Sequence, residues 1–169
     1  TNSSGEFASV IRIPESISGP HAITARISGD EAEATFTVEP KITLSPESGS
    51  QGTEVTVSGT GFGRRRNIEV TFDNTKLTIS GDSQSSSDGS FTATFTVPEA
   101  APGNHEVKVK DASNNSAEAT YTIAGQISLN PQKGNVGADI TVTGTGFKAN
   151  SPVLINFDNI QVATATTDT

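Results

Sequence analysis

The chain contains two histidines, His21 and His105, the side chains best suited to proton transfer near neutral pH. Catalysis by such a histidine also needs a nucleophile that it can activate. The chain has no cysteine and no Gly-x-Ser-x-Gly nucleophile elbow. Each histidine follows a turn containing glycine and proline, and each shares strand parity with an aliphatic residue, Ile23 or Val107. We therefore predict two equivalent structural histidines, no catalytic residue and no enzymatic activity.

Four aspartates could offer carboxylate oxygens to a calcium ion, namely Asp73, Asp82, Asp88 and Asp158. Calcium requires several oxygens that converge on one point. The spacing of these aspartates lacks the Asp-x-Asp-x-Asp-Gly pattern of a compact calcium loop, and two of them precede an asparagine in a sequence that suits a hairpin turn. We therefore predict no metal site and no cofactor, with these four aspartates as the calcium alternative.

The sequence GTGFG at 59–63 has the glycine content of a phosphate-binding loop. Such a loop lies between a strand and a helix whose N-terminus faces the anion. Here another strand pattern follows, and the matching sequence at 144–148 reads GTGFK, without the last glycine. We predict strand-end glycines that let the chain turn, with Phe62 and Phe147 filling the core.

Asparagine could carry a glycan at two Asn-x-Ser sequences. They begin at Asn2 and at Asn114. Short patterns of this kind often occur by chance, and they accept glycans only in an exported protein from a host that glycosylates. Both are therefore conditional candidates.

The elements that would position these residues are β-strands. Apolar and polar residues alternate in FTATFTV at 91–97 and in IEVTF at 68–72, which indicates strands with one buried face. Clusters of Pro, Gly, Asn and Ser separate such runs. About seven strands in about 85 residues indicate an all-β fold of antiparallel immunoglobulin-like β-sandwiches.

The sequence also repeats itself. Residues 42–62 and 127–147 are identical at 11 of 21 positions, and the residues from Gly5 onward resemble those from Gly89 onward. An internal repeat of this length indicates repeated structural units. The predicted division is the C-terminal half of a repeat at 1–40, a complete repeat at 41–125 and the N-terminal half of the next repeat at 126–169.

The two halves are complementary in this register. Thr169 falls opposite Gln84 and Thr1 opposite Ser85, so the C-terminal half stops where the N-terminal half starts. We expect about three strands in the first half and about four in the second, each half with an unpaired edge and an uncovered apolar face. We therefore expect the halves to be completed by a neighbouring chain or copy.

The repeated motif resembles the IPT/TIG domain, an immunoglobulin-like sandwich of surface receptors, bacterial and archaeal surface proteins and some transcription factors. The resemblance rests on Pro46, Gly49, Gly52, Val55, Val57, Gly59, Gly61 and Phe62, and again on Pro131, Gly134, Gly137, Ile140, Val142, Gly144, Gly146 and Phe147. With the downstream halves it covers essentially the entire chain. It implies tandem spacer or adhesive modules of a microbial surface, surface-layer or filament protein outside the cell, although the fold hosts many roles.

Charge and composition narrow the partners. The net charge of −8 repels phosphate backbones, so we predict no nucleic-acid partner. No apolar run is long enough to span a membrane, and no signal sequence is visible. The expected partners are copies of the same chain, arranged head to tail as a homo-polymer or as a longer array.

The alternative function is a tandem adhesive module that binds carbohydrate. Binding sites for sugars generally use exposed tryptophan or tyrosine faces. The chain has no tryptophan, and its single tyrosine, Tyr121, has the parity of an inward-facing residue. A structural role in assembly is therefore the preferred prediction.

Overall fold

The computed structural model describes residues 5–148 and 150–168, and every regular element within them is a β-strand. In chain order the strands are β1 (Gly19–Ile27), β2 (Asp30–Val38), β3 (Lys41–Ser45), β4 (Ser48–Gly49), β5 (Glu54–Thr60), β6 (Ile68–Phe72), β7 (Thr75–Lys76), β8 (Ser80–Gly81), β9 (Phe91–Thr96), β10 (Gly103–Asp111), β11 (Ser116–Ile123), β12 (Gln126–Asn130), β13 (Thr141–Thr145), β14 (Pro152–Phe157) and β15 (Ile160–Thr166). The predicted all-β immunoglobulin-like class is confirmed.

Residues 41–125, called the central module below, form two sheets. One sheet has the strand order β3-β5-β9-β8 and the other β4-β11-β10-β6-β7. Neighbouring strands are antiparallel, except that the short β4 runs parallel to β11. Two sheets of this kind, packed through their apolar faces, are an immunoglobulin-like sandwich.

The core of the central module follows from strand alternation. Within β5 and β9, every second residue is buried between the sheets. The buried apolar residues are Ile42, Leu44, Val55, Val57, Phe62, Ile68, Val70, Phe72, Phe91, Ala93, Phe95, Val97, Val107, Val109, Tyr121 and Ile123. All of them belong to the central module, so this module carries the buried core of the described residues.

The sequences on either side form smaller sheets. In the N-terminal segment, defined here as residues 5–40, β1 and β2 pair over their full length as a two-stranded sheet. In the C-terminal segment, residues 126–168, β12 pairs with β13 and β14 with β15. The N-terminal segment thus has two strands where about three were expected from the unpaired-edge pattern. Residues 7–12, the counterpart of β9, are not in a strand.

A side-chain bridge shows how the C-terminal segment aligns with the central module. The hydroxyl of Thr167 accepts a hydrogen bond from the Ser151 N–H at 2.9 Å and donates one to the Lys148 carbonyl at 2.6 Å. The Ser85 hydroxyl bridges the same two repeat positions in the central module. Thr167 is therefore the counterpart of Ser85, where a counterpart is the residue at the same position of the repeated sequence.

The expected register at the end of the chain, with Thr169 opposite Gln84, is therefore wrong by three residues. The segment at 75–84 is longer than the segment at 160–166 because part of it crosses to the other sheet, where β8 pairs with β9. In the C-terminal segment the shorter β15 stays paired with β14.

Candidate functional site

The terminal segments expose aromatic rings at positions that the central module buries. Phe72 is 2% exposed, whereas its counterpart Phe157 is 68% exposed. Tyr121 is 0% exposed, and its counterpart Phe36 is 41% exposed. Since monomeric soluble proteins rarely expose contiguous apolar surface, these inward faces of the terminal segments are the candidate site.

The glycine–phenylalanine motif shows the same gap in atomic detail. In the central module the ring of Phe91 lies so close to Gly59 that an added Cβ would be 2.1 Å from it. The counterpart of Phe91 is Phe7, which is 68% exposed. In the C-terminal segment it is Phe147 whose ring lies against Gly144, 2.9 Å from an added Cβ. The place taken by Phe91 in the central module thus has a substitute from the same segment.

The second glycine of each motif serves the backbone. Gly61 and Gly146 have left-handed φ values of 73° and 68°. An added Cβ would lie 2.6 Å from the Glu39 carbonyl oxygen at Gly61 and 2.9 Å from that of Ala124 at Gly146. The other motif residues singled out from the sequence, Pro46 and Pro131, each follow a cis peptide bond.

His105 lies where the turn after β6 meets β10. Its Nδ1 is 2.5 Å from Asp73 Oδ2, and its Nε2 is 2.7 Å from the Ala101 carbonyl oxygen. The imidazole stacks on Phe72 with 4.9 Å between ring centroids. Asp73 also accepts the Glu106 N–H at 3.0 Å. Both ring nitrogens face acceptors, an arrangement that the doubly protonated imidazolium satisfies.

The pKa values of this pair shift in opposite directions. Burial opposes protonation of His105, but the hydrogen bond to Asp73, the Ala101 carbonyl and the charge of Asp73 outweigh it and raise the histidine pKa. The hydrogen bond from His105 is the main cause that lowers the pKa of Asp73. The pair therefore favours its charged form, and His105 has a partner that sequence reasoning did not assign to it.

His21 has half of this environment. Its Nε2 is 2.8 Å from the Ile17 carbonyl oxygen, which matches the contact of His105 with Ala101. The counterpart of Asp73 is Asp158, in a β14–β15 turn whose φ values of 46° and 67° match the 45° and 67° of the β6–β7 turn. Within the described residues neither the His21 Nδ1 nor the Asp158 carboxylate makes a hydrogen bond. The histidine and aspartate half-sites are both formed and are not joined within the chain.

Asp111 is a buried carboxylate, only 3% exposed, that sequence reasoning missed. It accepts backbone N–H bonds from Gly63 at 2.7 Å, Ser113 at 2.7 Å and Asn115 at 3.0 Å, and a bond from the Asn115 side-chain amide at 2.7 Å. Burial opposes its ionisation, but these bonds outweigh burial and lower its pKa. The sequence Asp-x-Ser-x-Asn, typical of an Asx turn, was the available signal.

Replacing Asp111 by alanine is expected to lower the free energy of unfolding by about 2–4 kcal/mol, because buried donors lose their acceptor. Urea unfolding at neutral pH measures this loss. Asp82→Ala is the matched control, since exposed Asp82 accepts one backbone N–H, from Thr92. The lowered pKa means that the Asp111 contribution is present above about pH 3.9 and is lost as the pH falls through the folded-state pKa. Equal losses in the two variants would contradict this role.

The remaining candidates are dispersed. Asp82 and Asp88 each bond within their own loop or to an adjacent strand, and Asp73 is engaged by His105. The four calcium candidates are not brought together, and the described residues hold no group of three or more His, Cys, Asp or Glu side chains suited to a metal. Asn114 lies in the turn after β10 with a left-handed φ of 68°. Asn2 lies outside the described residues.

Comparison with known proteins agrees with this architecture. No helix in the described part of the chain is long and apolar enough to cross a membrane. No curated protein matches the chain. The family model of the IPT/TIG domain matches residues 40–124, which include every strand of the central module. IPT/TIG domains are non-catalytic immunoglobulin-like domains commonly used as structural or adhesive modules, and this chain belongs to the IPT/TIG domain family.

Proposed function

We propose that this protein is a structural module of a microbial surface protein or filament outside the cell, and that it is not an enzyme. Its copies would join head to tail, the C-terminal segment of one copy completing a sandwich with the N-terminal segment of the next. The copies can be separate chains or successive parts of a longer array. The domain division at 1–40, 41–125 and 126–169 belongs to this proposal. So does self-association as its main interaction.

The observation that carries the proposal is the mismatch in burial between counterpart residues. Phe7, Phe36 and Phe157 are exposed where Phe91, Tyr121 and Phe72 are buried. The central module shows what covers each of these positions, namely the other half of the same sandwich. A second copy of the chain carries that other half, so it is the occupant that fits.

The unpaired segment at 7–12 supports the same arrangement. Its counterpart β9 pairs antiparallel with β5, the counterpart of residues 139–145. In the corresponding register between copies, Arg12 would lie opposite Asp139, where Thr96 lies opposite Glu54 in the central module. Directly opposed residues of unlike charge favour an antiparallel strand pair.

A carbohydrate-binding function is the alternative for an IPT/TIG domain, and no observation here favours it. Tyr121 is fully buried in the central module. The exposed aromatic residues are phenylalanines on the terminal segments, at core positions of the repeat. A glycan array probed with the full chain would test this alternative, and we expect no binding.

The proposal is tested by the solution mass of the full chain over a concentration series, with electron micrographs of the same samples. We expect growth from monomers into chains or thin filaments as the concentration rises. A mass that stays at one chain at every concentration would overturn the proposal.

A further inference from the structure

We infer that His21 of one copy and Asp158 of the next form a histidine–aspartate contact across the completed junction, and that this contact makes assembly sensitive to pH. The inference rests on the proposed completion between copies and assigns the junction its polar contact. It identifies a binding site split between two molecules of the same chain.

The pairing of β10 with β6 shows how the two residues would meet. In the central module Val107 lies opposite Phe72, and the Asp73 N–H bonds to the Glu106 carbonyl at 2.9 Å. The same register between copies places Ile23 opposite Phe157. Asp158 then follows Phe157 into the turn beside His21, as Asp73 does beside His105.

The ring-stacking partner is also supplied across the junction. His105 stacks on Phe72, and the counterpart of Phe72 is the exposed Phe157. The Nε2 of His21 already has its carbonyl partner, so the imidazole orientation is set before the copies meet. Both halves of the contact are therefore preorganised, which reduces the conformational entropy lost on binding.

The charged groups around His21 can be read from those around His105. In the central module they are Asp73, Glu106 and Glu118, the last two lining the same surface depression as the histidine. Their counterparts at the junction are Asp158, Ala22 and Glu33. Thus two carboxylates, one from the turn after β14 and one from β2, would face His21.

The glutamate at the junction lacks the compensating charge of its counterpart. Lys108 forms an ion pair with Glu118 at 2.5 Å. The residue equivalent to Lys108 is Thr24, which faces Glu33 across the β1–β2 pair. The environment of His21 at the junction is therefore more negative than that of His105, and it favours the imidazolium.

The sign of the pH effect follows from this environment. A histidine that gains carboxylate partners on assembly has a higher pKa in the assembled state than in the free chain. Its contribution is complete below about pH 6.5 and is lost as the pH rises through the assembled-state pKa. At strongly acidic pH, below about 4, protonation of Asp158 removes the contact again.

The test measures the concentration for half-assembly of the full chain at about pH 6 and about pH 8.5, where histidine but not aspartate titrates. The variants are His21→Gln, Asp158→Asn and the two combined. His105→Gln is the matched control, because it removes the same kind of contact inside the central module. Comparison with His21→Gln also separates the contact from the general effect of pH on an acidic chain.

We expect the native chain to assemble at a concentration about 3- to 10-fold lower at the acidic pH, beyond any change in His21→Gln. Asp158→Asn should lose the same pH response, the double variant should lose no more, and His105→Gln should keep it. A pH response that persists in His21→Gln and Asp158→Asn would overturn the inference and leave the proposed completion standing. Absence of assembly at both pH values would overturn the proposed completion itself.

Discussion

Phe72→Ala is expected to lower the free energy of unfolding of the central module by about 3–5 kcal/mol, the range for removing a buried phenylalanine ring. Phe72 is 2% exposed, stacks on His105 and lies 6.4 Å from the Tyr121 ring, measured between centroids. Its loss leaves a cavity between the two sheets and takes the stacking surface from the histidine–aspartate pair. Domains of this size are commonly stable by about 5–15 kcal/mol, so this variant should be marginal.

Phe157→Ala is the matched control, since it makes the same substitution at the same repeat position. Because Phe157 is 68% exposed, we expect a change of less than about 1 kcal/mol in dilute monomer. Urea unfolding followed by tyrosine fluorescence suits the comparison, because Tyr121 is the only tyrosine and the chain has no tryptophan. Equal destabilisation by the two variants would mean that the C-terminal segment is already packed within its own chain.

Placing a charge on either uncovered face is expected to weaken the junction by about 100-fold or more, because an unpaired carboxylate would be buried there. Phe36→Glu blocks the N-terminal face, and Phe157→Glu blocks the C-terminal face. Each variant alone should stay monomeric. An equimolar mixture should form pairs that grow no further, since each pair joins one intact C-terminal face to one intact N-terminal face.

Two outward-facing substitutions are the controls for the blocked faces. Leu154→Glu introduces the residue that the central module carries at this position, Glu69, and Thr35→Glu lies beside Phe36 on the opposite face of β2. Both controls should assemble like the native chain. Pairs that fail to form in the mixture, or assembly by each blocked variant alone, would show that these faces do not meet head to tail.

Much of the fold could be predicted from local pattern, because strand alternation is a property of adjacent residues. The runs at 68–72 and 91–97 became β6 and β9 with the expected buried faces. Residues 7–12 follow a related pattern and have no strand. A strand needs a hydrogen-bonding neighbour, and the neighbour that the repeat assigns to this segment is not paired with it within the chain.

The polar contacts were harder to predict because they join residues distant in sequence. Asp73 was a calcium candidate, but its carboxylate binds His105, which is 32 residues away in the chain. Asp111 receives the Gly63 N–H from the loop that resembled a phosphate site. Composition and periodicity do not report which loops meet at the end of a sandwich, so such pairs emerge only once the strands are paired.

A crosslink between the two uncovered strands tests the central claim most directly. The chain has no cysteine, so Val10→Cys and Thr141→Cys can be introduced together; their counterparts Thr94 and Thr56 are opposed across β9 and β5. Thr56→Cys with Thr94→Cys is the intramolecular control. After oxidation, completion between copies predicts a ladder of covalent multimers from the first variant and monomer from the control. Monomer alone from both variants would contradict the account.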